Sequence, residues 1–447
     1  MKRPIWSKVL TWALVLSMCL VLFGGCKSSG SGQGSSTVSG SKLSGELVYD
    51  CMFNKGEPNA TWIQGVATEF QKETGVKVKL TLMGRDVLTK VKSSIIMKNP
   101  PDIIDQDASE LGAALWDTSV LAMPLDDVLN GPGPDGQSKM TDIFPSNVLS
   151  LYTKNDVNYV VPFDFVTSGF MYNKKYFTDN NLSVPTTWDQ LISLCATLKS
   201  KGMSPIALDG NINFYNAYYY YWALERVMGS GNLMKGALDK TGAVWDDPGY
   251  LQAAQMVSQL SSAGLNEFEK GYAGSNYPAA QADWAQGKSG LCLCGTWLPN
   301  ETQTQASAGF DYGFFPFPTV TGGKGAVSDM EGYLMGAVIP VGAKNVANAK
   351  AFLKFMLTQK NAQDFATITG NISARKDVDY PKILTTVKPY VDQAQTWHLS
   401  YDGVMSACPD WFANVFYPLD NKLIYGQITP QAFISQMKQQ TVAFYNK

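Results

Sequence analysis

The sequence predicts an α/β fold built on a largely parallel sheet, in a chain long enough for two lobes. Three observations carry this. Short apolar or alternating runs at 46–53, 76–82 and 100–104 are separated by helical periods over 61–74 and 86–97, a β-α-β-α-β order. In 289–294, Leu291 and Leu293 point to one face and Cys292 and Cys294 to the other, so this strand belongs inside a sheet covered on both sides. The 447 residues exceed what one ordinary core holds.

The first strand, 46–53, ends in the polar loop Asn54-Lys55-Gly56-Glu57-Pro58-Asn59. Thr61-Trp62-Ile63-Gln64 reads as a capping box opening a helix whose Ile63, Val66 and Phe70 share a face, and Gly75 stops it. Val76, Val78, Leu80 and Leu82 alternate with polar residues as a second strand. After the third strand come helices over 111–116 and 123–129, a turn-rich loop at 131–136, and an extended segment over 159–173. Thr187 with Gln190 three residues on marks a further helix start, running to 199. A short strand at 205–208 leads through a loop into a tyrosine-rich helix, and helices at 251–261 and 277–286 follow. Residues 287–301 form a turn, the buried strand, then Gly295-Thr296-Trp297 at its carboxyl end, where ligands sit in open α/β sheets. Strands at 310–317 and 333–339 and an amphipathic helix at 345–358 precede a helical tail, which breaks at Tyr425-Gly426 and restarts at Thr429-Pro430.

Composition narrows the function. Apolar content of 45% and charged content of 17% fit a folded globular protein. A near-neutral charge offers nothing to nucleic acid. A single histidine, His398, removes histidine triads and multi-histidine metal sites, and no cofactor or metal is expected. The N-terminus reads as an address: Lys2, Arg3 and Lys8 precede an apolar core over 9–23, too short to span a bilayer and right for a signal peptide over 1–25. Leu22-Phe23-Gly24-Gly25-Cys26 resembles a bacterial lipobox, with Phe23 where leucine is usual, making Cys26 the expected lipidated residue. Residues 26–44 then form a Ser/Gly tether. The other reading is an ordinary secretory signal. Cys51, Cys195, Cys292, Cys294 and Cys408 are odd in number, and adjacent same-face positions such as Cys292 and Cys294 suit a disulfide badly, so these read as small buried hydrophobes. Gly287-Lys288-Ser289 is no phosphate loop, since Ala282 stands where the first glycine belongs and a strand follows.

Several segments together resemble a known family. They are Phe70-Gln71-Lys72-Glu73-Thr74-Gly75-Val76-Lys77-Val78, Pro101-Asp102-Ile103-Ile104, Leu125-Asp126-Asp127, Val161-Pro162 through Met171-Tyr172-Asn173-Lys174, and Pro185-Thr186-Thr187-Trp188-Asp189. Gly287-Lys288, Gly295-Thr296-Trp297, Phe310-Asp311-Tyr312-Gly313, the run 350–357 and Ile428-Thr429-Pro430-Gln431-Ala432-Phe433 continue the series. In order and spacing the chain resembles the family 1 extracellular solute-binding proteins of bacterial ABC sugar importers, the maltose-binding-protein-like group. The resemblance implies a periplasmic-binding-protein-like fold: two α/β lobes, 45–160 plus 335–372 and 165–332 plus 376–447, joined by a multi-crossover hinge. It places the crossings near 160–169, 330–337 and 370–375, with a sugar held in the interlobe cleft. It also implies a monomer that works with ABC permease subunits, lipid-anchored on the extracellular face of a Gram-positive-type membrane.

A sugar offers a flat C–H face and a ring of hydroxyls, so its site needs aromatic platforms and planar hydrogen-bonding groups. By the resemblance, Trp297 and Trp411 sit where the family places sugar-facing aromatics, and Asp107 where it places a hydroxyl-binding carboxylate. Asn54 and Glu57 in the first loop, Asn213 and Tyr215 after the 205–208 strand, Asp164 in the hinge segment and Glu331 beside the second crossing are the other polar candidates. Phe163, Trp62 and Trp397 are further possible platforms, against core packing as the alternative for each. The run Tyr218-Tyr219-Tyr220-Tyr221 covers every face of a helix, so at most two of these tyrosines reach the cleft. The rival classes are an extracellular glycosidase, which needs two carboxylates at a set separation, a surface adhesin or sensor partner, and a receptor for a non-sugar solute.

Overall fold

The computed structural model describes residues 43–117, 119–261 and 264–446; the expected signal peptide and Cys26 lie outside them. The larger sheet has six strands, in the order Ile372–Ser373, Val161–Val166, Tyr333–Val338, Ile103–Asp107, Glu46–Cys51 and Lys77–Leu82. The last three are parallel to one another, and Tyr333–Val338 runs antiparallel to both its neighbours. Ile103–Asp107 is buried along its whole length, as a central strand must be, while Lys77, Lys79 and Thr81 face solvent on the edge strand and guard it against further pairing. The smaller sheet runs Tyr312–Phe315, Ser168–Asn173, Ser289–Gly295, Ser204–Ala207, and Ser289–Gly295 is buried at every position, as its two apolar faces require. A third, two-stranded pairing joins Asp329–Glu331 in parallel to Thr396–His398.

Local chemistry explains the element ends. The first helix spans Pro58–Thr74 and so begins before the expected capping box at Thr61. Proline suits the first turn because its fixed φ is already helical and its missing N–H is not needed there. Gly75, at φ 76°, closes the helix with its N–H on the Gln71 carbonyl. Thr187 and Gln190 do form the capping box expected of them, opening Trp188–Ser200. The tyrosine-rich helix Asn213–Met228 is buried on nearly all sides because Pro248–Leu260 and Tyr417–Ile424 pack against it.

The two sheets define a two-lobe fold, and the chain steps directly between them. Val161–Val166 belongs to the larger sheet and Ser168–Asn173 to the smaller, with Thr167 alone between them. The first body therefore extends through Val166, past the expected boundary at 160. Gly332 alone separates Asp329–Glu331 from Tyr333–Val338. Register fixes which ends of the larger sheet coincide: Cys51 pairs with Leu82, Met335 with Asp107 and Tyr333 with Val166 at one end, and Val338 pairs with Ile104 toward the other.

At the carboxyl end of Ser289–Gly295 the chain turns, and the Trp297 indole folds back over Gly295. A Cβ on Gly295 would sit inside the van der Waals radii of three ring atoms of Trp297. Gly295→Ala should therefore cost about 1–3 kcal/mol of stability, the usual range for overpacking. The loss should shrink in a Trp297→Ala background, and a double-mutant cycle by denaturant unfolding checks this coupling.

Candidate functional site

The site end of the larger sheet gathers three loops. Asp107, the last residue of its strand, turns into the helix Ala108–Leu115 and caps it, its carboxylate accepting from the Ser109 N–H (2.5 Å) and the Glu110 N–H (3.2 Å). Burial raises its pKa, while these bonds and one from the Tyr333 hydroxyl pull it back down. In the first loop, exposed Asn54 donates to Glu57 Oε1 at 2.7 Å. Arg85, just past the edge strand, donates to Glu57 Oε2 (3.0 Å) and to the Met52 carbonyl (2.8 Å). The loop is fixed from beneath by Asp105, whose buried carboxylate accepts from the Met52 N–H (2.6 Å), the Tyr49 hydroxyl (2.7 Å) and the Cys51 thiol (3.3 Å).

The smaller sheet contributes the opposing wall. Trp297 is half-buried and meets Phe214 at a centroid distance of 6.5 Å. Glu301 is exposed, yet loss of solvent around its carboxyl raises its pKa to about 7, against a hydrogen bond from Tyr277 and the charge of Arg85. The Arg85 charge acts on Glu301 from the larger-sheet body. Asn300, in the short helix after Trp297, also meets Gly370 of the larger-sheet body, which leaves 3.4 Å between its Oδ1 and the position of a Cβ there.

The structure thus places Asn54, Glu57 and Asp107 at one end of the larger sheet, with Arg85 holding Glu57 and its charge acting on Glu301, four residues after Trp297; Arg85, Glu301, Tyr277 and Phe214 are residues the sequence reading did not single out. Glu301 had a signal, since it closes the stretch that carries Trp297. Arg85 had none, because its partners come from loops distant in sequence.

Several expected contacts lie elsewhere. Trp411 is fully buried, its Nε1 donating to Thr441 Oγ1 (3.0 Å) and its ring stacked near Trp245 and Phe416. It is a core residue and not a platform. Trp62 is buried with its Nε1 on the Asn361 carbonyl (2.9 Å), and Phe163 packs against Trp62, Phe53 and Phe365, so both fill the larger body's core. Tyr215 is buried, its hydroxyl accepting from Gln281 Nε2 at 2.9 Å. Asn213 is exposed and accepts from Asn421 Nδ2 (2.9 Å). Trp397 is half-buried and set edge-on to Phe165, with centroids 5.1 Å apart. Glu331 is buried and takes the hydroxyls of Ser168 and Ser400, so it ties crossings together and does not face a ligand. Asp164 is likewise buried, with one oxygen accepting from Asn371 Nδ2 at 3.1 Å and the other unpartnered.

The sequence profile of the bacterial extracellular solute-binding protein family matches residues 54–363, and the chain belongs to that family. The multiple sugar-binding protein of Streptococcus mutans is 23% identical over 89% of this chain and 92% of its own length. The diacetylchitobiose binding protein of Streptomyces coelicolor is 24% identical over 63% of this chain and 60% of its own. Among solved structures, a chitin oligosaccharide binding protein superimposes with a TM-score of 0.70 at 20% identity, covering 90% of this chain and 98% of its own.

Asp164 yields a pH dependence. Burial raises its carboxyl to about 7. An acid whose folded pKa exceeds its unfolded value near 4 stabilises the fold only when protonated; this contribution is full below about 4 and is lost as pH rises through about 7. Asp164→Asn should accordingly raise the thermal midpoint above pH 7 and flatten its decline from pH 5 upward, as scanning calorimetry across buffers would reveal. An unchanged pH profile would show that Asp164 does not titrate in this range.

Proposed function

We propose that this chain is the solute-binding component of a bacterial ABC importer, capturing an oligosaccharide between its lobes and delivering it to a membrane permease. The observation that carries the reading is the half-buried Trp297 indole at the carboxyl end of a buried strand; in this reading it faces a cleft that also holds Asp107, Glu57, Arg85 and Glu301. A planar apolar surface beside paired polar groups suits a sugar, whose C–H face stacks while its hydroxyls are hydrogen-bonded. Family membership supports the receptor role, and the names of the two curated relatives support a sugar as solute. In this reading Trp297 is the platform, and Asp107, Asn54 and Glu57 serve hydroxyls. The protein is a monomer, is not an enzyme, and is held at the extracellular face of the membrane through a lipid on Cys26. The glycosidase reading is the weaker one, because Asp107 is committed to a helix cap and Glu57 to Arg85.

Covering one tryptophan contributes at most about 4–6 kcal/mol gross, whereas micromolar affinity needs about 8 kcal/mol after association costs. Trp297 must therefore act together with the polar groups. Calorimetry against α- and β-linked oligosaccharides should find a ligand, and Trp297→Ala should bind it about tenfold more weakly, or roughly 1.4 kcal/mol. Trp411→Phe should instead lower stability by on the order of 1–2 kcal/mol with affinity unchanged. Wild-type affinity in a folded Trp297→Ala protein would remove Trp297 from the site.

A further inference from the structure

The end of the larger sheet opposite the cleft carries an amphiphilic surface. The sheet register brings its parts together. Tyr49 pairs with Ile103, so Glu46 lies level with Pro100, and Leu43, where the described chain begins, lies beyond it. Val338 pairs with Ile104 in the antiparallel sense, which brings Val341 to the same end. The Val341 N–H donates to the Leu121 carbonyl (2.8 Å), and Ala122 bridges Pro340, adding Val120 to the rim. A Cβ on Gly342 would touch Lys98 and Pro100, which closes the patch between the two loops.

Four large apolar side chains stand exposed on this end: Ile96 (68%), Met97 (71%), Val120 (56%) and Val341 (47%). Exposed apolar clusters of this kind mark interaction surfaces. Lysines surround them. Lys98 and Lys344 are exposed on the two loops, and Lys72 and Lys77 flank the end of the first helix. Of the nearby acids, Glu46 is paired with Lys77 and Asp102 is buried beneath the backbone N–H groups of Lys344 and Asn345, while Glu73 and Asp117 are exposed. Apolar side chains ringed by lysine fit the boundary of an anionic bilayer, where apolar burial and headgroup charge act together.

The start of the described chain selects that occupant. Sixteen residues lie between Cys26 and Leu43, and the Gly/Ser-rich tether expected there would span about 20–25 Å on average. An anchor at Cys26 therefore brings this end of the body to the membrane before any other. We propose that the surface around Ile96, Met97, Val120 and Val341 rests on the anionic membrane face and holds the cleft end outward, toward arriving solute. This inference rests on the anchored-receptor reading.

The test uses two native probes, the exposed methionines Met97 and Met405, the latter beside the Ser406 contact to the site-end helix. The chain from Cys26 onward, which contains the whole described body, is coupled through Cys26 to a maleimide lipid, with Cys408 replaced by serine. This makes the outcome independent of natural lipidation, and calorimetry on the same sample reports sugar binding separately. On vesicles of phosphatidylglycerol and phosphatidylethanolamine, peroxide oxidation of Met97 should slow about threefold or more relative to the vesicle-free chain, with Met405 unchanged. The protection should fall on phosphatidylcholine vesicles, in high salt, and in Lys98→Glu or the Ile96→Ser/Val341→Ser double variant. Equal oxidation of Met97 with and without vesicles would overturn the proposal. So would protection of Met97 that grows with protein concentration in the absence of vesicles, which would assign the surface to self-association.

Discussion

The architecture depends on one buried carboxylate. Glu331 ends a strand of the third pairing, one residue before Gly332 and the entry into the larger sheet. It accepts the hydroxyl of Ser168, which begins the smaller-sheet strand, and that of Ser400, which follows Thr396–His398. Burial raises its pKa, and the two hydroxyls act in the opposite direction. A buried carboxylate is costly unless its oxygens are satisfied, so the chain segments must meet in one geometry for the cost to be offset. Around it the Trp222 indole N–H donates to Ser168 Oγ (3.0 Å), the Gly332 N–H to the His398 carbonyl (2.9 Å), and the Thr296 N–H to the Thr167 carbonyl (2.9 Å). The last bond ties the crossing to the residue beside Trp297, so the junction that orients the lobes also orients the platform.

Beneath this junction lies a charged core. Arg226 is fully buried, donating to Glu225 Oε2 (2.5 Å) and to the Phe317 carbonyl (2.9 Å), with its guanidinium 4.6 Å from the Trp222 ring centroid. His398 has its Nε2 3.8 Å from Glu225, yet burial and the Arg226 charge lower its pKa to about 3. It is therefore neutral at physiological pH, and Arg226 alone supplies the positive charge opposite Glu225. The single histidine of the chain serves the hinge support, through Nδ1 and the Tyr221 hydroxyl.

Much of the fold was legible because local periods and tertiary demands agree. The two-faced run Leu291-Cys292-Leu293-Cys294 is a covered strand, the Thr187 capping box opens its helix, and Thr429-Pro430 restarts the tail at Pro430–Tyr445. The site was less legible, because aromatic identity does not say which way a ring points. Trp297 and Trp411 share a residue type, and the family resemblance gives each a sugar-facing position. Only the partner of the indole separates them: Trp411 finds Thr441 from a helix 30 residues on, whereas Trp297 is pressed over a glycine at a strand end. The role of Glu331 was equally hidden, since its partner Ser168 lies 163 residues away.

One strained turn connects the junction to both walls of the cleft. Tyr401 (φ 51°) and Asp402 (φ 55°) adopt left-handed conformations before Gly403 (φ 77°), and each non-glycine residue held there costs about 1–2 kcal/mol. Specific contacts offset this. The Tyr401 hydroxyl donates to the Phe214 carbonyl (2.6 Å), and the Asp402 oxygens accept from the N–H groups of Gly231 and Leu233, both at 2.8 Å. Ser400, at the start of the turn, is held by Glu331. Beyond it, the short helix Val404–Ala407 packs on Ala108–Leu115, with Ser406 Oγ donating to the Ser109 carbonyl at 3.3 Å. One segment thus grips the hinge carboxylate, the backbone beside the Trp297 wall, and the helix capped by Asp107. Any relative movement of the lobes must either carry this turn with it or break one of these bonds, and the strain in two consecutive left-handed residues means that a broken bond would let the turn relax. The relative placement of these segments is therefore held by mutual dependence of the three contacts and not by any one of them.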